Sequence, residues 1–320
     1  MRGRQVASVG VLIACAVGTT LVGAQQPGVG QGPSSLPLTV PIRERGTSVT
    51  PAFEGWYYEK DGSQRVMVGY FNRNTKQEFD IPAGPNNRIE PGLPDQGQPT
   101  HFNPGRQWGV FTIKVPKDFG TKKMSWTIVA NGFTNTITLH TMPDYIVEPF
   151  EDAANKNTPP KFRFLPTGSI FTGPSSAIAE RFTGTVGVPV PITMWMSDEG
   201  PKINVPDPNR GRGRGAAGRG AAGRGAAGAA DAAGAAPPTG FTPPPPMAAT
   251  WTKFRGPGDV KFDNNKPSID RAAEGKTVTN ATFSAPGEYI LRVEGNDSTG
   301  QGGGGFQCCW STAHVSVTIK

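Results

Sequence analysis

Between Phe53 and Thr141 the hydrophobic residues come in short runs, and nowhere at the three-to-four-residue spacing of a helix. The runs are 53–58 (FEGWYY), 65–71 (RVMVGYF), 77–81 (QEFDI), 107–115 (QWGVFTIKV), 124–130 (MSWTIVA) and 135–141 (NTITLHT). They are rich in Val, Ile, Thr and aromatics, and turn chemistry such as Lys60-Asp61-Gly62 separates them. Asn131 and Gly132 tolerate positive φ, so the last two runs read as a hairpin. So many short strands in this length predict a sandwich. One stretch, 82–106, carries no strand pattern and reads as a long loop, a place where function concentrates.

A second set of runs follows. Val188, Val190, Ile192, Met194 and Met196 alternate with Pro189, Pro191, Thr193 and Trp195, the mark of one strongly buried strand face. The prolines suit the start or an edge of that strand. The pattern stops at Ser197-Asp198-Glu199-Gly200 and resumes at Ala249 to Phe254. The expected organisation is a leader over 1–24, a disordered 25–50, a β-sandwich domain over 51–150, a connection over 151–164, and a second domain over 165–320. The second domain is broken by a low-complexity insertion, 201–248. The fold class is all-β, with two β-sandwich domains.

Residues quoted from the second domain resemble the immunoglobulin-like and PKD-like β-sandwich modules of bacterial exported proteins. They are Trp251, Arg255-Gly256-Pro257-Gly258, Val260-Lys261-Phe262, Ala281 to Tyr289, Leu291-Arg292-Val293, Asn296-Asp297 and Ala313 to Ile319. The resemblance implies that Pro286-Gly287-Glu288-Tyr289 is a tyrosine corner, its hydroxyl bonded back to the preceding turn. It also implies Trp251 as the core aromatic of the third strand, and inward-facing Tyr289, Leu291, Val293, Val315, Val317 and Ile319. Two loops, 197–248 and Gly295 to Cys308, would then emerge at one end. Such modules mostly bind or space other molecules. The first domain carries no such resemblance.

The leader changes the picture of compartment. Arg2 and Arg4 precede an uncharged run from Val6 to Ala24 that ends in Val22-Gly23-Ala24 before Gln25-Gln26. This reads as a secretory signal cleaved after Ala24, with an uncleaved anchor or a lipidated Cys15 in Leu12-Ile13-Ala14-Cys15 as alternatives. The mature chain is then secreted or periplasmic, with no transmembrane segment. Of the formal charge of +7, the leader holds +2 and the tract 209–236 a net +4, leaving +1 for the folded parts. Nucleic acid is therefore not an expected partner of a folded face. The Arg-Gly tract, Arg210 to Gly228, is either a polyanion-binding arm or a solvated insertion, and the absence of interleaved aromatics favours the latter.

Candidate chemistry is sparse. Cys308-Cys309, after Gly302 to Gly305, reads as a vicinal disulfide, as two thiols on opposite strand faces, or as a soft-metal trap. Asp198, Glu199 and Asp297 at the shared loop end suit calcium, against the plain reading of solvated loop carboxylates. Cys309 and His314 lack the Met of a blue-copper loop, and His101, His140 and His314 are too scattered for a metal motif. Hydrolase elbows and dinucleotide fingerprints are missing, and Glu54 and Glu59 read as salt-bridge partners. Trp56, Tyr57, Tyr58, Tyr70 and Phe71 read mostly as core. Trp56 and Tyr58, flanking the 82–106 loop with Arg88, His101 and Arg106, are the candidate glycan- or protein-binding face. The expected function is non-catalytic binding or surface association, with no cofactor apart from calcium. An accessory or sensor protein with a redox-active or metal-responsive Cys-Cys loop, and an enzyme with its site on 82–106, are the alternatives.

Overall fold

Pairing begins before the first hydrophobic run. The computed structural model describes residues 42–153, 156–200, 247–297 and 309–320. Arg43 already bridges to Asn74, and Thr47 and Ser48 are buried, so the end of the stretch expected to be disordered, 42–50, is ordered against the first sheet. The leader, most of 25–50, the Arg-Gly tract and Cys308 lie outside the described residues.

In chain order the first half forms β1 (Val49–Tyr58), β2 (Gln64–Asn72), β3 (Phe79–Asp80), β4 (Asn87–Glu90), β5 (His101–Phe102), β6 (Gly105–Val115), β7 (Met124–Ala130) and β8 (Phe133–Leu139). Two antiparallel sheets, ordered β1-β2-β6 and β4-β7-β8, enclose a core that includes Tyr70, Ile89, Phe102, Phe111 and Trp126, with β3 and β5 as a separate pair. The β7–β8 hairpin turns through Asn131 and Gly132, both at positive φ, as their chemistry requires.

The stretch 82–106 is not the strandless loop expected: it contains β4, β5 and the start of β6. Two buried amides explain why a Pro- and Gly-rich segment stays put. Asn87 Nδ2 donates to the carbonyls of Ile81 (2.9 Å) and Pro99 (2.7 Å), while its Oδ1 accepts from Trp126 Nε1 (3.0 Å). Gln98 Nε2 donates to the carbonyls of Asn87 and Pro94. Side chains thus satisfy backbone groups that a longer strand would have paired.

The second half forms β9 (Lys161–Arg163), β10 (Phe171–Thr172), β11 (Ile178–Gly184), β12 (Val190–Ser197), β13 (Ala248–Arg255), β14 (Val260–Phe262), β15 (Lys276–Phe283), β16 (Gly287–Asn296) and β17 (Trp310–Ile319). One sheet is ordered β10-β9-β12-β15-β14 and the other β11-β17-β16-β13, with β11 parallel to β17 and every other pair antiparallel. The alternation in β12 is realised: Val190, Ile192, Met194 and Met196 are buried. Pro191 is tolerated because β9 covers only Trp195 to Ser197, leaving β12 a neighbour on one side at that point. The segment 151–164, expected as a connection, contains β9 and sends Phe162 and Phe164 into the second core. Three residues are too few to show a period. Ala248, placed by sequence at the end of the insertion, is the first residue of β13.

Trp251, Tyr289, Leu291, Val293, Val315, Val317 and Ile319 all lie in the second core. The Tyr289 hydroxyl donates to the Ala285 carbonyl (2.8 Å), and its ring lies so close to Gly256 that a Cβ there would meet Cδ1 at 2.0 Å. Among the described residues there is no α-helix, only 3-10 turns at Pro143–Tyr145 and Arg271–Ala273, and no helix is long and apolar enough to cross a membrane.

The two sandwiches belong to one compact unit, and a continuous seam joins them. Trp310 packs with Tyr57 and Met67, and against Gly109, where a Cβ would stand 1.8 Å from the indole. A bulge in β13 between Lys253 and Arg255 turns Phe254 into the first core. Around it Thr100 N donates to the Phe254 carbonyl (3.1 Å), Lys253 Nζ to Asp80 (2.8 Å), Arg255 to both Asp95 oxygens, and Arg292 Nη2 to the Trp108 carbonyl (2.6 Å). His314 sits under the seam, its ring 4.3 Å from that of Phe254 and its Nε2 without a hydrogen-bond partner.

Two outcomes follow from the seam. Gly109→Ala forces Trp310 aside at a positive-φ position, and should lower the unfolding free energy by about 1–3 kcal/mol, the usual range for overpacking. Chemical denaturation reads the effect, and a wild-type midpoint would refute the contact. Burial, then the nearby Arg292 charge, pull the His314 imidazole down to about 3, against a hydrogen bond with the Val110 backbone and with a smaller pull from Arg255. The folded ring stays neutral while the unfolded one gains a proton below about 6.5. Stability attributable to His314 is therefore present above about 6.5 and is lost as pH falls toward about 3. His314→Phe should flatten that slope in thermal melts across the window, and an unchanged slope would discard this assignment.

Candidate functional site

The five residues expected to form one ligand face are not brought together. Trp56 is core, its indole N–H donating to the Met142 carbonyl (2.7 Å), whereas Tyr58 stands out at 53% exposure. Arg88 on β4 pairs with Glu90 (3.0 Å) and donates to the Pro85 carbonyl. His101 on β5 is buried beside Asp80 (3.0 Å) and Glu78 (3.5 Å), within the seam. Arg106 grips the buried Glu54 (2.5 Å) and lies over the Trp108 ring (3.8 Å). Burial pushes the Glu54 carboxyl up, against the pull of Arg106 and the Gly109 amide. Once 82–106 pairs into strands, its side chains are distributed among different sheets, which dissolves the expected face.

A different aromatic group assembles instead along β1. A bulge between Phe53 and Trp56 centres on Gly55, at φ 106°. A Cβ there would stand 2.6 Å from Val147 Cγ1, so glycine lets residues 145–147 cross the strand, with Val147 N donating to the Trp56 carbonyl (2.9 Å). The crossing carries Tyr145 onto Phe53 (ring centroids 5.6 Å), while His140 touches both Phe53 (4.5 Å) and Tyr145 (4.7 Å). At the other end Tyr58 meets Trp56 edge-on at 5.0 Å. His140, Tyr145, Phe53, Trp56 and Tyr58 therefore form one row, joined at its middle through Met142. Burial, then the charge of Lys123, lowers the His140 pKa, so the ring is neutral at pH 7 and adds to the apolar character of the row. Tyr145 is 48% exposed, and Met142 and Ile146 flank it in the open. Sequence reading named Trp56 and Tyr58 but missed Phe53, His140 and Tyr145. Nothing in a Pro-Asp-Tyr turn announces a return to the first strand.

The end of the second sandwich gathers less than expected. Ala248 pairs with Asn296, and Asn296 with Trp310, so the described residues that bracket both chain interruptions share that end. A cleft of about 540 Å³ opens there beside Arg163, Met196, Asp198, Met247 and Arg271. The calcium trio does not converge. Glu199 is drawn to Lys161 on β9, Asp297 is buried and accepts from Asn157, and Asp198 feels the charge of Asp297 and, more weakly, of Glu199. Among the described residues no group of three or more His, Cys, Asp or Glu is placed to hold a metal ion. Cys309 is buried at φ 77°, and its carbonyl accepts from Asp297 N (3.4 Å). With Cys308 outside the described residues, the Cys308-Cys309 readings stay as they stood.

Burial and the facing Asp297 raise the Asp198 pKa above its usual 3.8. An acid whose folded pKa is raised costs stability above that pKa and recovers it as pH falls toward 3.8. Asp198→Asn should therefore raise the melting temperature at pH 7 and lose the advantage near pH 3. The gain should stay below about 1 kcal/mol, because the group is half-exposed. A destabilised variant at pH 7 would refute the repulsion.

No family model and no curated protein sequence matches the chain. Among solved structures, a crystal structure of the S-layer protein rSbsC(31-844) aligns with 86% of this chain at 10% identity and a TM-score of 0.20. The chain spans 28% of the length of that structure. A TM-score so low carries no argument about fold or role.

Proposed function

We propose that this chain is an exported, non-catalytic binding or surface-associated protein that acts through the aromatic row on β1. The observation that carries the proposal is the rim of that row: Tyr58, Met142, Tyr145 and Ile146 stand exposed around the buried Trp56, on a body whose two sandwiches are welded at the seam. Single exposed apolar residues are ordinary, but a continuous patch marks an interaction surface. A rigid support also lowers the entropic cost of presenting such a patch.

The immunoglobulin-like reading of the second half draws support from three features. These are its two facing sheets, the parallel β11–β17 pair, and the Tyr289 hydroxyl bond to Ala285. Export rests on Arg2, Arg4, the uncharged run to Ala24 and the small residues before Gln25.

The test uses the full chain with its own leader and a C-terminal tag, expressed in a Gram-negative host. The expected product begins at Gln25 by intact mass, and its tag is cleaved by protease added outside the cytoplasmic membrane. A product that keeps Met1 and is protected inside the cytosol would overturn the export half of the proposal.

A further inference from the structure

The long edge strands of the two sandwiches differ in how they are closed. β1 carries Pro51 and a bulge, and residues 145–147 cross it. β11 carries Glu180 and Arg181 beside a register shift. β13 accepts Thr100 N at its Phe254 carbonyl and donates Trp251 N to the Asn265 carbonyl. β8 has none of these devices. Among the described residues it pairs with β7 alone, and its sequence FTNTITL contains no charge, no proline and no bulge. An edge left bare in this way is a template for another strand, which is why proteins normally blunt it.

The direction of the free backbone groups follows from the hairpin. Its two-residue turn, Asn131-Gly132, makes Ala130 and Phe133 a hydrogen-bonded pair, and such pairs alternate along an antiparallel ladder. Val129 N agrees with that phase, because it turns away from Thr134 and donates to the Asn86 carbonyl (2.8 Å). Thr134, Thr136 and Thr138 therefore direct their N–H and C=O groups away from β7. Among the described residues none of the three has a backbone partner there, and all three are exposed. β1 passes beneath β8 without a backbone ladder. The bond between them runs from the Asn135 side chain, on the inner face, to the Val49 carbonyl (3.0 Å).

We propose that β8 is a dimerisation edge: a second copy of this chain pairs with it antiparallel about a two-fold axis at Thr136, joining two three-stranded sheets into one. The strand matches itself when read in both directions from Thr136. Thr134 then faces the partner's Thr138, Phe133 faces the partner's Leu139, and Asn135 faces the partner's Ile137. Cross-strand threonine pairs are favourable, and the hairpin already contains one, Thr127 with Thr136 (Oγ1 to Oγ1, 2.9 Å). Phe133, 41% exposed in the single chain, gains an apolar neighbour. Lys122 and Lys123 precede Met124, which lies beside Leu139, so the two-fold carries them to the uncharged Asn131-Gly132 turn of the other copy. Like charges are thus kept apart. A foreign strand would satisfy the same backbone groups, but it would owe nothing to the two-way match about Thr136. Pairing in this manner uses up both edges, so assembly stops at two copies. A seven-residue ladder is about 23 Å long and makes a small interface, so association is expected at about 10–100 μM.

The test is independent of the aromatic row, which the variants leave untouched. The chain from Gln25 to Lys320 is followed by sedimentation velocity from about 1 to 300 μM, a range chosen to bracket that affinity. Wild type should shift from monomer to dimer with concentration and go no further. Thr136→Lys and Thr136→Glu each set like charges opposite one another on the axis, and each alone should remain monomeric. An equal mixture of the two should dimerise about tenfold more tightly than either alone, since the axis then pairs opposite charges. Thr136→Val loses the hydroxyl but adds no charge, and should dimerise as wild type does. Melting temperatures at low concentration show that the charged variants fold, and rescue by mixing cannot come from misfolded chains. A wild type that stays monomeric throughout, with the edge free or covered by its own chain, overturns the proposal. So does a dimer that the single charged variants leave intact, a mixture no tighter than its components, or assembly that grows beyond two copies.

Discussion

Trp310 and Gly109 meet at the centre of the molecule, and the arrangement of both halves depends on that contact. The indole lies at the start of the last strand of the second sandwich and reaches the third strand of the first sheet at a residue without a side chain. Its Nε1 has no hydrogen-bond partner, so packing alone holds the ring, with Tyr57, Met67 and Phe150 closing around it. Each feature of β1 discussed above leans on this. Tyr57 points into the seam, and its neighbours Trp56 and Tyr58 are thereby committed to the opposite side, where the aromatic row forms.

The seam is also where the molecule concentrates its buried charge. Lys253 and Arg292 come from the second sandwich and find their acceptors on Asp80 and the Trp108 carbonyl of the first. Burial works against the Asp80 carboxylate, but Lys253 and His101 outweigh it and hold its pKa below the usual value. Asp80 is half open to solvent, which screens its attraction for Lys253, whereas Lys253 itself is buried and depends on that partner. These contacts therefore specify how the sandwiches sit more than they add to stability. His314 supplies the complementary constraint, a ring that fits only while neutral.

What could be read from the chain was set by period and by turn chemistry. The alternation from Val190 to Met196, the Asn131-Gly132 hairpin and the inward set around Trp251 and Tyr289 each announce themselves locally. The structure departs where order comes from distant side chains. Asn87 and Gln98 fix a stretch whose composition reads as a loop, and β9 is too short for its Phe162 and Phe164 to show a period. The aromatic row was half legible for the same reason. Trp56 and Tyr58 lie in an obvious strand, but Tyr145 and His140 join them only because Gly55 lets a later segment cross. Glu199 was misplaced because its partner, Lys161, belongs to a strand that the pattern did not reveal.

The parallel pairing of β11 with β17 bears on how the second sandwich carries load. In a parallel pair the start of one strand and the end of the other lie at opposite ends of the ladder. Tension between the chain entering β11 and the chain leaving β17 therefore shears the whole ladder from Ile178 to Gly184 at once, instead of peeling it rung by rung. A pull applied across that pair has no single rung at which to start.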